Sequence, residues 1–193
     1  MGSNRTKARA RVAICDLDGT LIDSDQAIAD AFVALGVPRQ EVSFGHILAD
    51  ECARLGLSVD AFLDVYDERS ALPFPGVAGL IDGLGVWAVC SHKHPVSGRA
   101  ELHRLEWTPT VAMFADAFSG AKSVVPVLKS LDIDAADAVF LGDTAHDRHC
   151  AHEAGVTFAL AGWNPRTIAA PGDLVLSEPR ELLDLLDLLD LQG

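Results

Sequence analysis

The sequence predicts a three-layer α/β fold, a mostly parallel sheet between two layers of helices, and three observations carry that prediction. Short apolar, β-rich runs recur at residues 12–15, 86–90 and 138–141, the pattern of strands buried on both faces. Stretches with apolar residues at helical spacing separate them, and such alternation implies right-handed crossovers between parallel strands. Each run also stops abruptly at polar or acidic residues, and the carboxyl edge of an open α/β sheet is where ligands bind.

Taken in order, residues 1–10 are polar and basic and read as a flexible lead-in. The first strand runs into Asp16-Leu17-Asp18-Gly19-Thr20-Leu21. Residues two apart in extended chain point to one face, so Asp16 and Asp18 can share one, and like charges held that close call for a cation or a proton. Asp-Gly is also a common turn pair, so this segment alone reads equally well as a polar turn.

Ala27, Ile28, Ala31, Phe32 and Leu35 then mark a helix that ends at Gly36-Val37-Pro38, with Ser24 or Asp25 as its cap. A second helical stretch covers 39–55, broken at Phe44-Gly45, and a third covers 59–69 behind Ser58. Leu72-Pro73-Phe74-Pro75-Gly76 is stiff and suits a linker. The domain reading is therefore a core of residues 1–22 and 76–193, with a helical cap over 23–75.

Beyond the linker come a helix over 77–84 and a strand over 86–90 that stops at Ser91-His92-Lys93-His94. A helix over 98–105, a weaker strand over 111–114 and a helix over 124–131 follow, with Pro126 in the first turn of the last. The strand at 138–141 stops at Gly142-Asp143-Thr144-Ala145-His146-Asp147, and the next helix closes on Gly155. Residues 156–160 form a last strand. The Leu- and Asp-rich segment 179–191 is too short for several heptads, so its leucines are expected to pack on the sheet.

Composition narrows the function classes. A hydrophobic fraction of 49% with 22% charged residues argues for a packed domain rather than a disordered chain. The formal net charge of -13 disfavours nucleic acid, whose phosphates are held by clustered Lys and Arg, and makes a metal cation the easier partner. No apolar run approaches the roughly 20 residues that span a bilayer, and no signal-peptide core follows the basic start. Cys15, Cys52, Cys90 and Cys150 form no CxxC pair and sit in or beside apolar segments, as reduced thiols do. A cytoplasmic monomer or homodimer, with no membrane partner, is expected.

Asp16/Asp18, Ser91, Lys122 and Asp143/Asp147 thus stand at the ends of three predicted strands and at one helix start. As DxDGT, Ser, Lys and GDxxxD, in that order, they resemble the active site of the haloacid dehalogenase superfamily, and the resemblance runs over nearly the whole chain. The likeness is to the phosphoglycolate-phosphatase-like and β-phosphoglucomutase-like branch, with a Rossmann-like core and a small helical cap inserted after the first motif. It implies a Mg²⁺-dependent phosphatase that acts on a small phosphorylated metabolite, a phosphoglycolate-like ester or a sugar phosphate.

The chemistry is consistent with that likeness. Phosphate monoesters repel anionic nucleophiles, so a site must neutralise charge and align the attacking and leaving oxygens. A carboxylate nucleophile splits the reaction into two easier steps. The resemblance makes Asp16 that nucleophile and Asp18 the acid/base; relatives that cleave carbon–halogen or carbon–phosphorus bonds lack an acid at the position of Asp18. Asp16, the Asp18 carbonyl and Asp143 are the implied Mg²⁺ ligands, with Asp147 either touching the ion or supporting a residue that does. Ser91, Gly19, His92 and Lys122 would bind the phosphoryl group, Lys122 also aiding catalysis, and Thr20 would orient Asp18 or its loop.

Each residue also has an ordinary reading. Ser91 suits a strand-end turn, Lys122 a solvated lysine, Asp143 a helix cap and Asp147 an exposed helical acid. His92-Lys93-His94 could draw in an anion or be a solvated basic turn. His146 could line the entrance, His149 and His152 look structural or exposed, and Trp87, Trp107 and Trp163 look like packing residues. In the cap, Phe44, His46 and Arg54 are the candidates for substrate contact. Two other functions use similar parts: a sugar-phosphate phosphomutase, and a phosphorylation-responsive receiver-like binding module. A receiver expects adjacent acids after its first strand and no helical insert there.

Overall fold

The computed structural model describes residues 11–45 and 47–192, so the basic lead-in and His46 lie outside the described residues. Along the first part of the chain the elements are β1 (Val12–Cys15), β2 (Ile22–Asp23), α1 (Asp25–Ala34), α2 (Leu48–Arg54), α3 (Val59–Val65) and β3 (Leu72–Pro73). Then come α4 (Val77–Gly83), β4 (Trp87–Cys90), α5 (Pro95–Arg104), β5 (Val111–Met113) and α6 (Val125–Leu131). The chain closes with β6 (Ala138–Gly142), α7 (Ala145–Ala154), β7 (Thr157–Ala161), β8 (Leu174–Leu176) and α8 (Glu181–Gln192).

The main sheet has the order β5-β4-β1-β6-β7-β8, and every pairing in it is parallel. Its strands read as continuous apolar runs because helices cover both faces. Side chains alternate accordingly. Ala13, Cys15, Trp87, Val89, Val139 and Leu141 join one apolar cluster with Leu80 of α4 and Leu182 and Leu186 of α8. Ile14, Ala88, Cys90 and Phe140 join the other, against Val127 and Leu128 of α6 and Cys150 and Ala151 of α7. Each fully buried leucine contributes roughly 1.5–3 kcal/mol; Leu182 and Leu186 thus anchor the Leu-rich tail in the core as its pattern suggested, whereas Leu188 and Leu191 are exposed. All four cysteines are buried and free.

The strand order reverses at β1. From β1 the chain builds outward through β4 and β5, then returns to lay β6 on the other side, which makes the carboxyl ends of β1, β4 and β6 the crevice of the sheet. The helical insert lies between β2 and β3. Phe32 of α1 packs on Phe62 of α3 at 4.7 Å between ring centroids, and Phe62 stacks on Tyr66 at 5.4 Å.

Several boundaries differ from the sequence reading. The segment expected to be a plain linker contributes β3, which pairs antiparallel with β2 through Ile22 with Pro73 and Asp23 with Leu72. The third helix stops at Val65, and residues Glu68–Ser70 make only a 3-10 turn. Ser58 does cap that helix, accepting from the Ala61 N–H at 3.1 Å. Ser24 occupies the N-cap position of α1 in a helical conformation, so its side chain does not reach the N–H groups. The fifth helix starts earlier than expected, with Pro95 in its first turn, where no N–H is needed. Strand β8 was not read: it is three residues long at the sheet edge, and two of them are exposed.

No helix among the described residues is long and apolar enough to cross a membrane.

Candidate active site

Strand register brings the separate motifs together. The Asp16 N–H donates to the Leu141 carbonyl at 2.9 Å, carrying the β1–β6 ladder one residue further and setting Asp16 beside Gly142 and Asp143. Ser91 does the same past β4, donating to the Met113 carbonyl at 3.0 Å. Lys122 arrives on the loop before α6. Carboxylate oxygens of Asp16, Asp143 and Asp147 lie within 4.8 Å of one another, all three residues buried. The Lys122 ammonium stands 3.1 Å from Asp16 Oδ1 and is also ion-paired with Asp147.

Local sequence makes this approach possible. A Cβ on Gly142 would collide with the Asp147 side chain, so only glycine lets α7 start this close to β6. Thr144 caps α7 and forms a reciprocal capping box with Asp147, whose Oδ2 accepts from the Thr144 N–H at 3.0 Å and from its hydroxyl at 2.6 Å. Asp147 is therefore neither an exposed helical acid nor a lone ligand candidate. It ties the helix start to Lys122.

Burial and charge shape the acids unequally. Burial pushes Asp16 up to about 6 against the pull of Lys122, with Asp147 adding to the rise. Burial, then Asp16 and Asp147, push Asp143 up to about 7. Asp147 is held below the carboxylate range, because Lys122 and the Thr144 donors outweigh its burial. Lys122 is buried too, yet Asp147 and Asp16 hold it well above its ordinary value. Three buried carboxylates thus share one buried ammonium, which contacts two of them.

Asp16, Asp18, Ser91, His92, Lys122, Asp143 and Asp147 all line one cavity of about 330 Å³ between the sheet edge and the helical insert. One expected role is corrected. Gly19 was expected to bind phosphate, but its N–H donates to the Ile22 carbonyl at 2.8 Å and it stands behind the cavity wall. With φ +77, and with Asp143 Cγ 2.8 Å from where a Cβ would be, Gly19 instead makes room for Asp143. Thr20, expected to orient Asp18 or its loop, donates its hydroxyl to Asp143 Oδ1 at 3.2 Å and so ties that loop to Asp143. Asn164 was not foreseen. Its Nδ2 donates to Asp143 Oδ2 at 3.0 Å and to the Gly19 carbonyl at 2.8 Å, so both oxygens of Asp143 are held. Next to it, Trp163 donates to the Thr20 carbonyl at 2.9 Å, so at the edge of the site it fastens the loop as well as packing.

Beside Ser91 the basic cluster divides. His92 lies against His146, with ring centroids 5.5 Å apart, and is held below its ordinary value by burial, then by Lys122 and His146. Lys93 is no solvated turn residue: its side chain is 5% exposed and bonds to Asp18 Oδ1 at 2.6 Å. His94 caps α5. His149 pairs with Glu153 on the surface. In the insert, Phe44 lines the cavity under the Arg166 guanidinium, 5.3 Å from its ring. Arg54 does not line the cavity; it binds Glu51, which in turn anchors the Ser43 N–H at 2.9 Å and, with Arg54 bonded to it, is held down to about 2.

A parallel sheet whose carboxyl edge gathers a lysine and three buried acids, one of them locked into a helix capping box, defines a phosphoryl-transfer enzyme of the α/β class. Comparison with known proteins makes the class specific. No protein-family model matches the chain. It is 30% identical to a phosphoglycolate phosphatase of Xylella fastidiosa over 84% of either chain. It is 28% identical to the N-acetylmuramic acid 6-phosphate phosphatase of Pseudomonas aeruginosa over 94% of this chain and 96% of that one. In fold it is similar to a subfamily IA hydrolase of the same superfamily from Geobacter sulfurreducens, with TM-score 0.67, 22% identity and coverage of 96% and 100%. CbbY from Rhodobacter sphaeroides, solved with phosphate, gives TM-score 0.71, 20% identity and coverage of 93% and 100%. The chain belongs to the haloacid dehalogenase-like hydrolases and is a phosphoric monoester hydrolase. A receiver-like module is thereby set aside.

Proposed function

We propose that the protein hydrolyses a small phosphomonoester through an aspartyl phosphate on Asp16. The observation that carries this reading is Lys122 bridging Asp16 and Asp147 at the floor of one cavity, with Asp18 on its wall. Asp16 Oδ attacks phosphorus as the bond to the leaving oxygen breaks, and Asp18 gives that oxygen its proton. Water then attacks the same phosphorus with Asp18 taking its proton, which restores the Asp16 carboxylate and frees inorganic phosphate. Lys122 offsets the charge on the phosphoryl oxygens, and the Ser91 hydroxyl lies within the lining to bind them.

The donor set fits a hard divalent cation: three buried carboxylates within 4.8 Å, two of them pushed up first by burial and then by the neighbouring acids. Asp16, Asp143, Asp147 and the Asp18 carbonyl would hold Mg²⁺, which when bound neutralises charge between nucleophile and phosphate. The sign of the pH effect follows. Folded Asp16 and Asp143 titrate at about 6 and about 7 against an ordinary 3.8, so between pH ~4 and ~7 the folded chain binds more protons than the unfolded one. Without a cation, stability from these groups falls as pH rises through that window. Mg²⁺ at about 100 times its Kd should restore about 2.7 kcal/mol, roughly 5–10 °C in melting temperature. The shift should be large at pH 8 and small at pH 5 in a thermal melt with Mg²⁺ or EDTA; an equal shift at both would count against these acids as ligands.

The lining also bears on the substrate. Its lysines and arginine among the described residues are each paired with a carboxylate: Lys93 with Asp18, Lys122 with Asp16 and Asp147, Arg166 with Asp25. Asp50 and Glu51 line the insert side. A second anionic group on the ester would meet this field unfavourably. Esters whose leaving group is uncharged and hydroxylated, such as sugar phosphates, are therefore expected to exceed phosphoglycolate in kcat/KM by on the order of tenfold, at ~1.4 kcal/mol. A panel of phosphorylated metabolites with Mg²⁺, scored by phosphate release, tests this. Phosphoglycolate as the best substrate would reverse the preference, and an isomerised sugar phosphate without phosphate release would make the protein a mutase.

A further inference from the structure

We propose that Lys93 is a positioning residue for Asp18, and that Glu101 and Tyr66 tie its hold on Asp18 to the placement of the helical insert. The inference rests on the acid/base role given to Asp18 above. Asp18 sits on the loop after β1 with its side chain 29% exposed, and the side-chain partner that the structure gives its carboxylate is the Lys93 ammonium at 2.6 Å. A carboxylate that must meet one ester oxygen cannot wander among rotamers, since a misplacement of about 1 Å can cost 100-fold in rate.

Lys93 can hold Asp18 because Lys93 is itself held. Its ammonium lies 3.0 Å from Glu101 Oε1 of α5, a residue with 0% exposure, and donates to the Tyr66 hydroxyl at 3.2 Å. The Tyr66 hydroxyl donates in turn to Glu101 Oε1 at 2.6 Å, and the ammonium stands 5.1 Å from the Tyr66 ring centre. A buried ammonium needs a counter-charge at all times. If Asp18 were its sole partner, every turn of Asp18 toward the ester would strand it. Glu101 remains when Asp18 lets go, so Asp18 is steered without being locked.

The third member comes from another part of the chain. Lys93 follows β4 and Glu101 lies on α5, but Tyr66 terminates α3 in the insert, stacked on Phe62. The network is complete only when the insert sits where the structure has it. Moving the insert away withdraws the hydroxyl that orients Glu101 and Lys93, and loosens Asp18 at the same moment as it opens the cavity.

The test uses two aryl esters of similar shape, phenyl phosphate and p-nitrophenyl phosphate. Phenolate is the poorer leaving group and depends more on the proton that Asp18 supplies. In the full chain with Mg²⁺, Tyr66→Phe should lower kcat/KM for phenyl phosphate about tenfold and for p-nitrophenyl phosphate no more than about twofold. The ratio within one variant does not depend on how much of it is folded, so it separates positioning from mere destabilisation. Glu101→Gln should show the same selective loss, and Lys93→Arg should keep more of the phenyl phosphate activity than Lys93→Met. Equal loss on both esters, or no loss on either, overturns the tether and leaves the phosphatase reading standing. If the unaltered protein turns over neither ester, both fall together.

Discussion

Asp16→Asn is expected to abolish turnover of every phosphomonoester that the protein accepts, a loss on the order of 10⁴-fold or more, as for removal of a nucleophile elsewhere. An amide oxygen at this position cannot carry the phosphoryl group as an aspartyl ester. The substitution should leave the fold intact, and the reason lies in the site. Burial and the Asp147 charge already work against an ionised Asp16, pushing it up to about 6, while Lys122 keeps Asp147 as a partner. Taking away one of three crowded carboxylates relieves repulsion at pH above 6. Phosphate release should vanish while the melting temperature measured in EDTA stays level or rises. Full activity with an unchanged melt would remove Asp16 from the mechanism.

At Lys122 activity and stability are expected to fall together. Its ammonium is the buried cation that faces both Asp16 and Asp147, and Lys122→Met keeps the length while removing the charge. Breaking a buried ion pair from one side typically costs 3–5 kcal/mol, because the remaining charge is left without a partner. In a chain of this size that is roughly 10 °C in melting temperature. Activity should fall about 10²–10³-fold through the lost stabilisation of the phosphoryl oxygens. The two substitutions should also interact: with Asp16 already neutral, removing Lys122 leaves one stranded carboxylate rather than two, so the double variant should be more stable than the sum of the singles. Urea unfolding of the four chains measures that coupling. A Lys122→Met protein that melts like the parent would mean that the ammonium is not the counter-charge described.

What the sequence made legible follows from what is local and what is not. β1, β4 and β6 are buried on both faces, so they stand out as apolar runs, and their ends marked Asp16, Ser91 and Asp143 without any knowledge of pairing. Lys122 and Asp147 are ordinary residues on their own segments and gained meaning only from their order in the chain. Lys93 defeated sequence reading, because flanking histidines suggest an exposed basic turn, while Glu101 and Tyr66, which bury it, lie 8 and 27 residues away. Asn164 was hidden in a Gly/Pro-containing loop, where only the folded approach to Gly19 reveals its use. β3 and β8 escaped for a different reason: at two and three residues they carry no period to detect.

The short antiparallel pair of β2 and β3 has a mechanical consequence. The chain leaves for the helical insert at Ile22-Asp23 and comes back at Leu72-Pro73, and these two crossings are bonded side by side. Both crossings are thus fastened to each other at one place on the core, so the insert leaves and returns through a single junction, and Tyr66 meets Lys93 from the far side of that junction.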